Sequence, residues 1–457
     1  MRTGQILSKF ACATALFVLA GCSLQRDLGP SLPSDTPARP ANQPTAQEAA
    51  PPPAPTAGPL RPAVAPARAT PVVAARSPTV DAQVSVFQKT WQLINSRYVY
   101  KDFNGADWAG VYTPTLTQIR TGLDQQAFYE LMYGVVDTLA DGHTYFLSPD
   151  EAEAEDETIA GAQEYLDFGF SYGVSDAMDY AYVLQIRRGG PAEKAGMRIH
   201  DHITRINGSA AVDDTIGDLA DAFFDDNVPT ATLTIQTPGG KPRAITLAKA
   251  RIPDNVQIDA KILPGKKRIG YLAIPSFDEE GVTVSVRTAL RDLAKTGALD
   301  GLVIDVRLNG GGSLEELAAT MGLFTSGVFG KLVDRAGAGE ALKATSENIG
   351  NSQKAPLVVL TDWRTASAGE ILAGALQANK RAKVVGQRTE GNVESIVAHD
   401  LPDGSVLWLA EKRFTLPDGK SWEGDGLAPD KLVEAEWDTY TEETDPYLKA
   451  ALDILGR

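Results

Sequence analysis

The residues best suited to chemistry in this 457-residue chain are one serine and the glycines and histidines that could serve it. Ser367 stands in Thr365-Ala366-Ser367-Ala368-Gly369-Glu370. Before it, Ala355 to Leu360 is uncharged, β-branched and opened by a proline, which reads as a short buried strand. After it, Ile371, Leu372, Ala375 and Leu376 recur at helical spacing. A serine at such a junction lies beside free backbone N–H groups at the positive end of a helix. Charge that forms when a carbonyl is attacked would be stabilised there. The same place suits a serine that only caps the helix, and the local sequence leaves both roles open. A second loop, Asp305-Val306-Arg307-Leu308-Asn309-Gly310-Gly311-Gly312, ends another buried run in glycines, which let backbone N–H groups approach a ligand closely. It lacks the lysine and hydroxyl spacing of a phosphate loop. Of the four histidines, His143 follows an Asp141-Gly142 turn signal, and taken alone it could be a surface residue. His200 and His202, alternating along a strand, would make a weak metal-ligand pair at best.

The elements that must position these groups follow from periodicity. Val84, Phe87, Trp91 and Ile94, then Phe128, Leu131, Met132 and Val135, predict helices within a segment 81–158. The acidic run Glu151 to Glu157 reads as a solvated connection. Residues 159–250 predict a compact all-β unit. From 251 to 440, strands at Ile269–Ile274, Leu302–Val306, Leu357–Leu360 and Lys383–Val385 alternate with helical stretches, the pattern of a parallel sheet built of βαβ units. Leu401-Pro402-Asp403-Gly404 and Leu416-Pro417-Asp418-Gly419 are matching turn signals that predict β-hairpins, and 441–457 predicts a terminal helix.

The beginning of the chain is of another kind. Arg2 and Lys9 precede an apolar run, Phe10 to Ala20, too short to span a bilayer but arranged as an export signal, 1–22. Residues 23–80, dominated by proline, alanine and small polar residues, read as a tether. Such a stretch reaches on the order of 40 Å as a coil and well over 100 Å if drawn into polyproline conformation. Both cysteines, Cys12 and Cys22, fall in the first segment, so no disulfide or thiolate metal site is expected in the folded part. A net charge of −16 argues against nucleic acid as a partner.

Three resemblances gather these signals. Leu19-Ala20-Gly21-Cys22 resembles the bacterial lipobox, which implies cleavage before Cys22, lipid attachment to it, and a membrane-anchored protein of the cell envelope. Gly190-Pro191-Ala192-Glu193-Lys194-Ala195-Gly196 and Asp201-His202-Ile203-Thr204-Arg205-Ile206-Asn207-Gly208 resemble a PDZ domain. That implies a loop at Phe168-Gly169-Phe170 offering N–H groups to a peptide carboxylate, and a peptide added at the sheet edge. His200 stands where that family usually has glycine. The Asp305–Gly312, Thr365–Glu370 and Gly386–Gly391 motifs, in this order after a helical segment and a PDZ-like unit, resemble the tail-specific (C-terminal processing) serine peptidases and the related tricorn-type core.

The resemblance implies an α/β fold with a ββα-type (crotonase/ClpP-like) core, Ser367 as nucleophile, and an oxyanion hole made by the N–H groups of Gly311 and Ala368. It implies polypeptide substrate, and neither metal nor organic cofactor. The tail-specific base, a lysine, and the glutamine that supports it are replaced here by Asn392 and Ile396. Asparagine accepts no proton at useful pH. The tricorn-like pattern instead points to His143 as base and Glu423 as its carboxylate, although the serine that pattern has before its histidine is Gly142 here. His399 is a further candidate base. An inactive, peptidase-like PDZ adaptor is the competing reading, and an acyl-CoA-type enzyme on a similar core is disfavoured by export and the PDZ-like unit.

Overall fold

A computed structural model describes residues 79–159, 166–174, 180–211, 228–252, 258–278 and 281–456. The export signal, Cys22 and nearly all of the tether lie outside the described residues. The fold is mixed α/β, and its centre is a six-stranded sheet in the order Asp259–Leu263, Ile269–Ala273, Gly301–Asp305, Leu357–Thr361, Ala382–Gly386, Lys431–Leu432. The first pair is antiparallel and the remaining pairs are parallel. Gly301–Asp305 and Leu357–Thr361 are buried at every position, which explains why they are apolar up to the Asp305 and Thr361 that close them. Successive side chains leave opposite faces of a strand. Leu302, Ile304, Leu357 and Val359 therefore pack among helices Val282–Ala294, Leu314–Met321 and Ser367–Ala378. Val303, Val358 and Leu360 pack on the other face against Tyr440, Tyr447 and the helix Pro446–Ile454.

The parallel strands all deliver their following loops to one edge of this sheet. Those loops are Val306–Ser313, Asp362–Ala366 and Gln387–Val393, the three that carry the chemical motifs. A crevice at the carboxyl ends of parallel strands is where α/β folds hold ligands.

A second sheet is wholly antiparallel: Tyr145–Leu147, Val406–Thr415, Gly327–Asp334 and Gly339–Ala344 in order, with Glu394–Asp400 also on Val406–Thr415. Helices Val80–Arg97, Trp108–Ile119 and Gln125–Asp137 bury Phe87, Ile94, Trp108, Phe128 and Met132 against its Leu407 and Leu409. The register Tyr145↔Trp408 ties the segment just after His143 to the catalytic half of the chain. A third sheet, Phe170–Val174, Ala181–Ile186, His202–Ile206, Thr230–Gln236 and Arg243–Ala248, is antiparallel and closes its own core around Phe168, Phe170, Val183, Ile203 and Leu233.

Some expectations are corrected. The acidic run is no solvated connection but part of the helix Pro149–Ile159, with Ala152 buried. Glu151 and Glu155 are used there as acceptors, for Tyr133 and for Trp408 Nε1 (2.8 Å). Of the two matching turns, only 401–405 joins two paired strands. Leu416–Lys420 closes on itself, and the chain then runs irregularly under the sheet through Trp422 to Pro429. The hairpin Gly327–Asp334/Gly339–Ala344 has no turn signature of that type and went unread.

Candidate active site

Ser367 begins its helix with φ +47°, a left-handed conformation that costs a non-glycine residue about 1 kcal/mol or more. The N-cap position belongs to Ala366, which has no capping side chain, so Ser367 is not the cap that local sequence allowed. The capping work is done from inside the helix. Glu370, fully buried, accepts from the N–H of Ser367 (3.2 Å), Asn392 (2.9 Å) and Gly391 (2.9 Å), and from the Thr389 hydroxyl. Ser367 N–H also reaches the Asn392 carbonyl at 2.9 Å. Burial pushes the Glu370 carboxyl up to about 7 against these donors.

The glycine loop is stitched to the serine loop at several points. Asn309 O accepts from Ala366 N–H (2.9 Å), Asp362 Oδ1 from Leu308 N–H (3.1 Å), and Val306 O from the Thr365 hydroxyl (2.9 Å). Gly311, at φ +121°, faces the serine so closely that a Cβ there would stand 2.6 Å from Ser367 Cβ and 3.0 Å from Oγ. The same point is 3.3 Å from Ala368 N, so Gly311, Ala368 and the serine hydroxyl share one small space. The Gly311 N–H donates to Asn309 Oδ1 at 2.9 Å in this state, while Ala368 N–H, in the first helical turn, has no intrahelical acceptor.

His143 sits in an Asx turn, its N–H on Asp141 Oδ1 at 3.0 Å, and is buried rather than superficial. Two contacts bring it to the serine loops. Asn392 lies between them: its carbonyl holds Ser367, and its Nδ2 would stand 2.8 Å from a Cβ on Gly142. The other is through the second sheet: the Thr144 hydroxyl accepts from Ala410 N–H at 3.2 Å in the strand Val406–Thr415, which pairs with Glu394–Asp400 directly after the loop Gln387–Val393.

The carboxylate beside the imidazole is Glu394, with Nδ1 to Oε2 at 3.1 Å and both side chains buried. The two atoms stand at ion-pair distance without completing a hydrogen bond of good angle. Tyr100 donates to Glu394 Oε1 at 2.9 Å. Glu423 stands further back, accepting from Val393 N–H at 2.7 Å and near enough to Glu394 to feel its charge. Burial and then the charge of Glu394 push Glu423 up to about 9. Burial also acts on Glu394, but hydrogen bonding and charge from His143, with Tyr100, bring it below its ordinary range. Glu390 is raised by burial, partly offset by His143.

The other candidates lie elsewhere. His399 pairs with Glu411 (2.8 Å) on the second sheet. His200, at φ +72° in the turn where glycine is usual, and His202 are not a ligand pair. Their ring nitrogens meet the backbone carbonyls of Trp437 (2.6 Å) and Asp438 (2.7 Å). No group of three metal-ligating side chains occurs among the described residues. Phe168 and Phe170 point into the third sheet's core on either side of Gly169 (φ +86°), whose N–H donates to Asp167 at 2.9 Å. A cavity of about 350 Å³ separates that sheet from the serine loop, and across it Arg364 donates to the Tyr182 hydroxyl at 2.6 Å.

A family model described as peptidase family S41 matches residues 268–433, which contain both glycine and serine loops. The C-terminal processing peptidase of Tetradesmus obliquus chloroplasts is 30% identical over 383 residues, 78% of either chain. The chain belongs to peptidase family S41. A carboxyl-terminal-processing protease of Picosynechococcus is 29% identical, covering 80% of this chain and 88% of its own. The solved photosystem II D1 C-terminal processing protease aligns over 82% of this chain and 97% of that one, with TM-score 0.54 and 27% identity. This S41 chain is accordingly a serine peptidase, and polypeptide is its substrate.

Sequence reasoning missed two residues of the site. Glu370 was legible, standing three positions after Ser367 as in a capping box. Glu394 carries no local signal, because only pairing of Glu394–Asp400 with Val406–Thr415 turns it toward His143.

Proposed function

We propose that the chain is a lipid-anchored endopeptidase of the bacterial cell envelope, which takes unstructured polypeptide through a PDZ-type module and cleaves it at Ser367. The observation that carries the reading is the convergence of three strand-following loops on Ser367, with the imidazole-bearing loop against Asn392. His143 takes the Ser367 proton as Oγ bonds to the scissile carbonyl carbon. It then returns the proton to the amine as the peptide C–N bond breaks, and water repeats the sequence to free the acyl group. Ala368 N–H, with Gly311 N–H once it turns from Asn309, receives the developing oxyanion. Glu423 belongs to the carboxyl group pair behind the imidazole.

The parallel-sheet core agrees with a ββα (crotonase/ClpP-like) assignment. The third sheet supports the PDZ reading: Phe170–Val174 forms its edge among the described residues, where an extended peptide could add as a strand. Cys22 would carry the lipid. Among the described residues no helix is long and apolar enough to cross a membrane.

The test is hydrolysis of an unfolded protein by wild type, Ser367→Ala and His143→Ala. Loss in both is expected. Equal turnover by wild type and Ser367→Ala would sink the assignment, and an inert wild type that still binds C-terminal peptides would leave the adaptor reading. For the anchor, Cys22→Ala is expected to move the protein from the membrane to the soluble fraction.

A further inference from the structure

Two glutamates stand behind His143, and the structure gives them different places. Glu394 touches the imidazole directly, Nδ1 to Oε2 at 3.1 Å, and its other oxygen accepts from Tyr100. Glu423 accepts from the Val393 N–H, and no hydrogen bond joins it to the imidazole. It lies near enough to Glu394 for the two charges to interact, and neighbouring buried carboxylates repel. Glu394 already faces one imidazole and one hydroxyl donor, so it is the partner better kept ionised.

We propose that Glu394 is the positioning residue for His143, holding Nδ1 and compensating the imidazolium, while Glu423, fixed by the Val393 N–H, stands behind it and does not meet the imidazole. This rests on His143 being the base of Ser367. The ring nitrogen left free, Nε2, is the one that exchanges the proton with Ser367 Oγ. Glu394 stays a carboxylate throughout. The separate ionisation tendencies agree: burial and its neighbour's charge hold Glu423 up at about 9, and Glu394 lies below its ordinary range. The arrangement also gives a use to Tyr100, which sequence reading left unassigned: its hydroxyl is the second donor that fixes the Glu394 carboxylate plane.

Other charged groups around this cluster are Asp141 on the histidine's own loop, Glu390 and Glu370 from the serine side, and Arg413 opposite Glu394 in the strand register. They stay unchanged in the variants below, so the comparison isolates the two glutamates.

The experiment compares wild type, Glu394→Gln and Glu423→Gln in hydrolysis of an unfolded protein across pH, with unfolding curves to establish that each variant folds. Glutamine at 423 keeps an oxygen for the Val393 N–H. Glutamine at 394 removes the anion and can present the wrong group to Nδ1. We expect Glu394→Gln to lose about 10²–10⁴-fold in kcat with KM little changed, and its acid limb to move toward lower pH. Glu423→Gln, which leaves the Glu394 carboxylate against Nδ1, is expected to lose at least about tenfold less in kcat than Glu394→Gln and to keep its acid limb closer to that of wild type. The second measurement needs no turnover: NMR titration of His143 in a Ser367→Ala background. Its titration should fall by about one unit or more with Glu394→Gln and hardly at all with Glu423→Gln. A wild-type rate and titration in Glu394→Gln, or an equal loss in Glu423→Gln, would overturn the proposal. Full activity in His143→Ala would instead overturn the base assignment on which it rests, while the NMR result would still report which glutamate the imidazole faces.

Discussion

Gly311→Ala is the most direct probe of how tightly the site is built. The added methyl would stand 2.6 Å from Ser367 Cβ, 3.0 Å from Oγ and 3.3 Å from Ala368 N, on a backbone at φ +121°. Carbon atoms in ordinary contact lie about 3.5–4.0 Å apart, so something must yield by about 1 Å. Ser367 has little freedom to do so, since its N–H is held by Asn392 O and Glu370. The left-handed backbone adds about 1–3 kcal/mol for a side-chain-bearing residue, and overpacking a further 1–3 kcal/mol or so. We expect a stability loss of about 2–6 kcal/mol from these two terms, and, in the fraction that folds, about a 10²-fold fall in kcat/KM from a nucleophile displaced by an ångström. The assay is urea unfolding with steady-state hydrolysis of an unfolded protein, beside Gly310→Ala as control. A Cβ on Gly310 meets nothing within 4 Å, so its stability should stay within about 0.5 kcal/mol of wild type. A folded Gly311→Ala with wild-type kcat/KM would refute the claim that this glycine packs on the nucleophile.

Two further outcomes follow from buried charge. Arg307 is held by Asp305 (2.6 Å), Asp445 (2.8 Å) and the Tyr440 hydroxyl (3.2 Å), all buried. Arg307→Met should therefore cost about 3–5 kcal/mol in urea unfolding by stranding two carboxylates, and a loss under about 1 kcal/mol would contradict this. Glu370 and Glu423 both hold protons that the unfolded chain releases from an ordinary value of 4.5, so the stability they contribute is full below that value. It is lost as pH rises, to about 7 for Glu370 and about 9 for Glu423. Between pH 7 and 9 the wild type should then lose up to about 1.4 kcal/mol per pH unit relative to Glu423→Gln, and parallel stability profiles for the two would show that Glu423 is ionised at neutrality.

The sequence by itself determined the parts whose cause is local. Apolar runs at Leu302–Ile304 and Leu357–Leu360 became the two strands buried on both faces, because parallel strands between helices have no polar side to show. Glycines at 311 and 312 stood where the backbone takes positive φ, and His200 took the same conformation in its turn. Tertiary structure decided what depends on distant chain segments meeting. Glu423 was legible as a carboxylate of the site, but its place behind Glu394 follows from Val393 N–H reaching across to it. The acidic run at 151–157 looked solvated because charge was read without its partners, Tyr133 and Trp408. The serine's role shows the division most clearly. A strand-to-helix junction was written in its neighbours, yet whether Ser367 capped the helix or stood clear of it depended on Glu370 folding back beneath it. His143 was brought to Glu394, and its neighbour Gly142 to Asn392, by strand pairing that joins residue 145 to residue 408, a contact that no local pattern encodes.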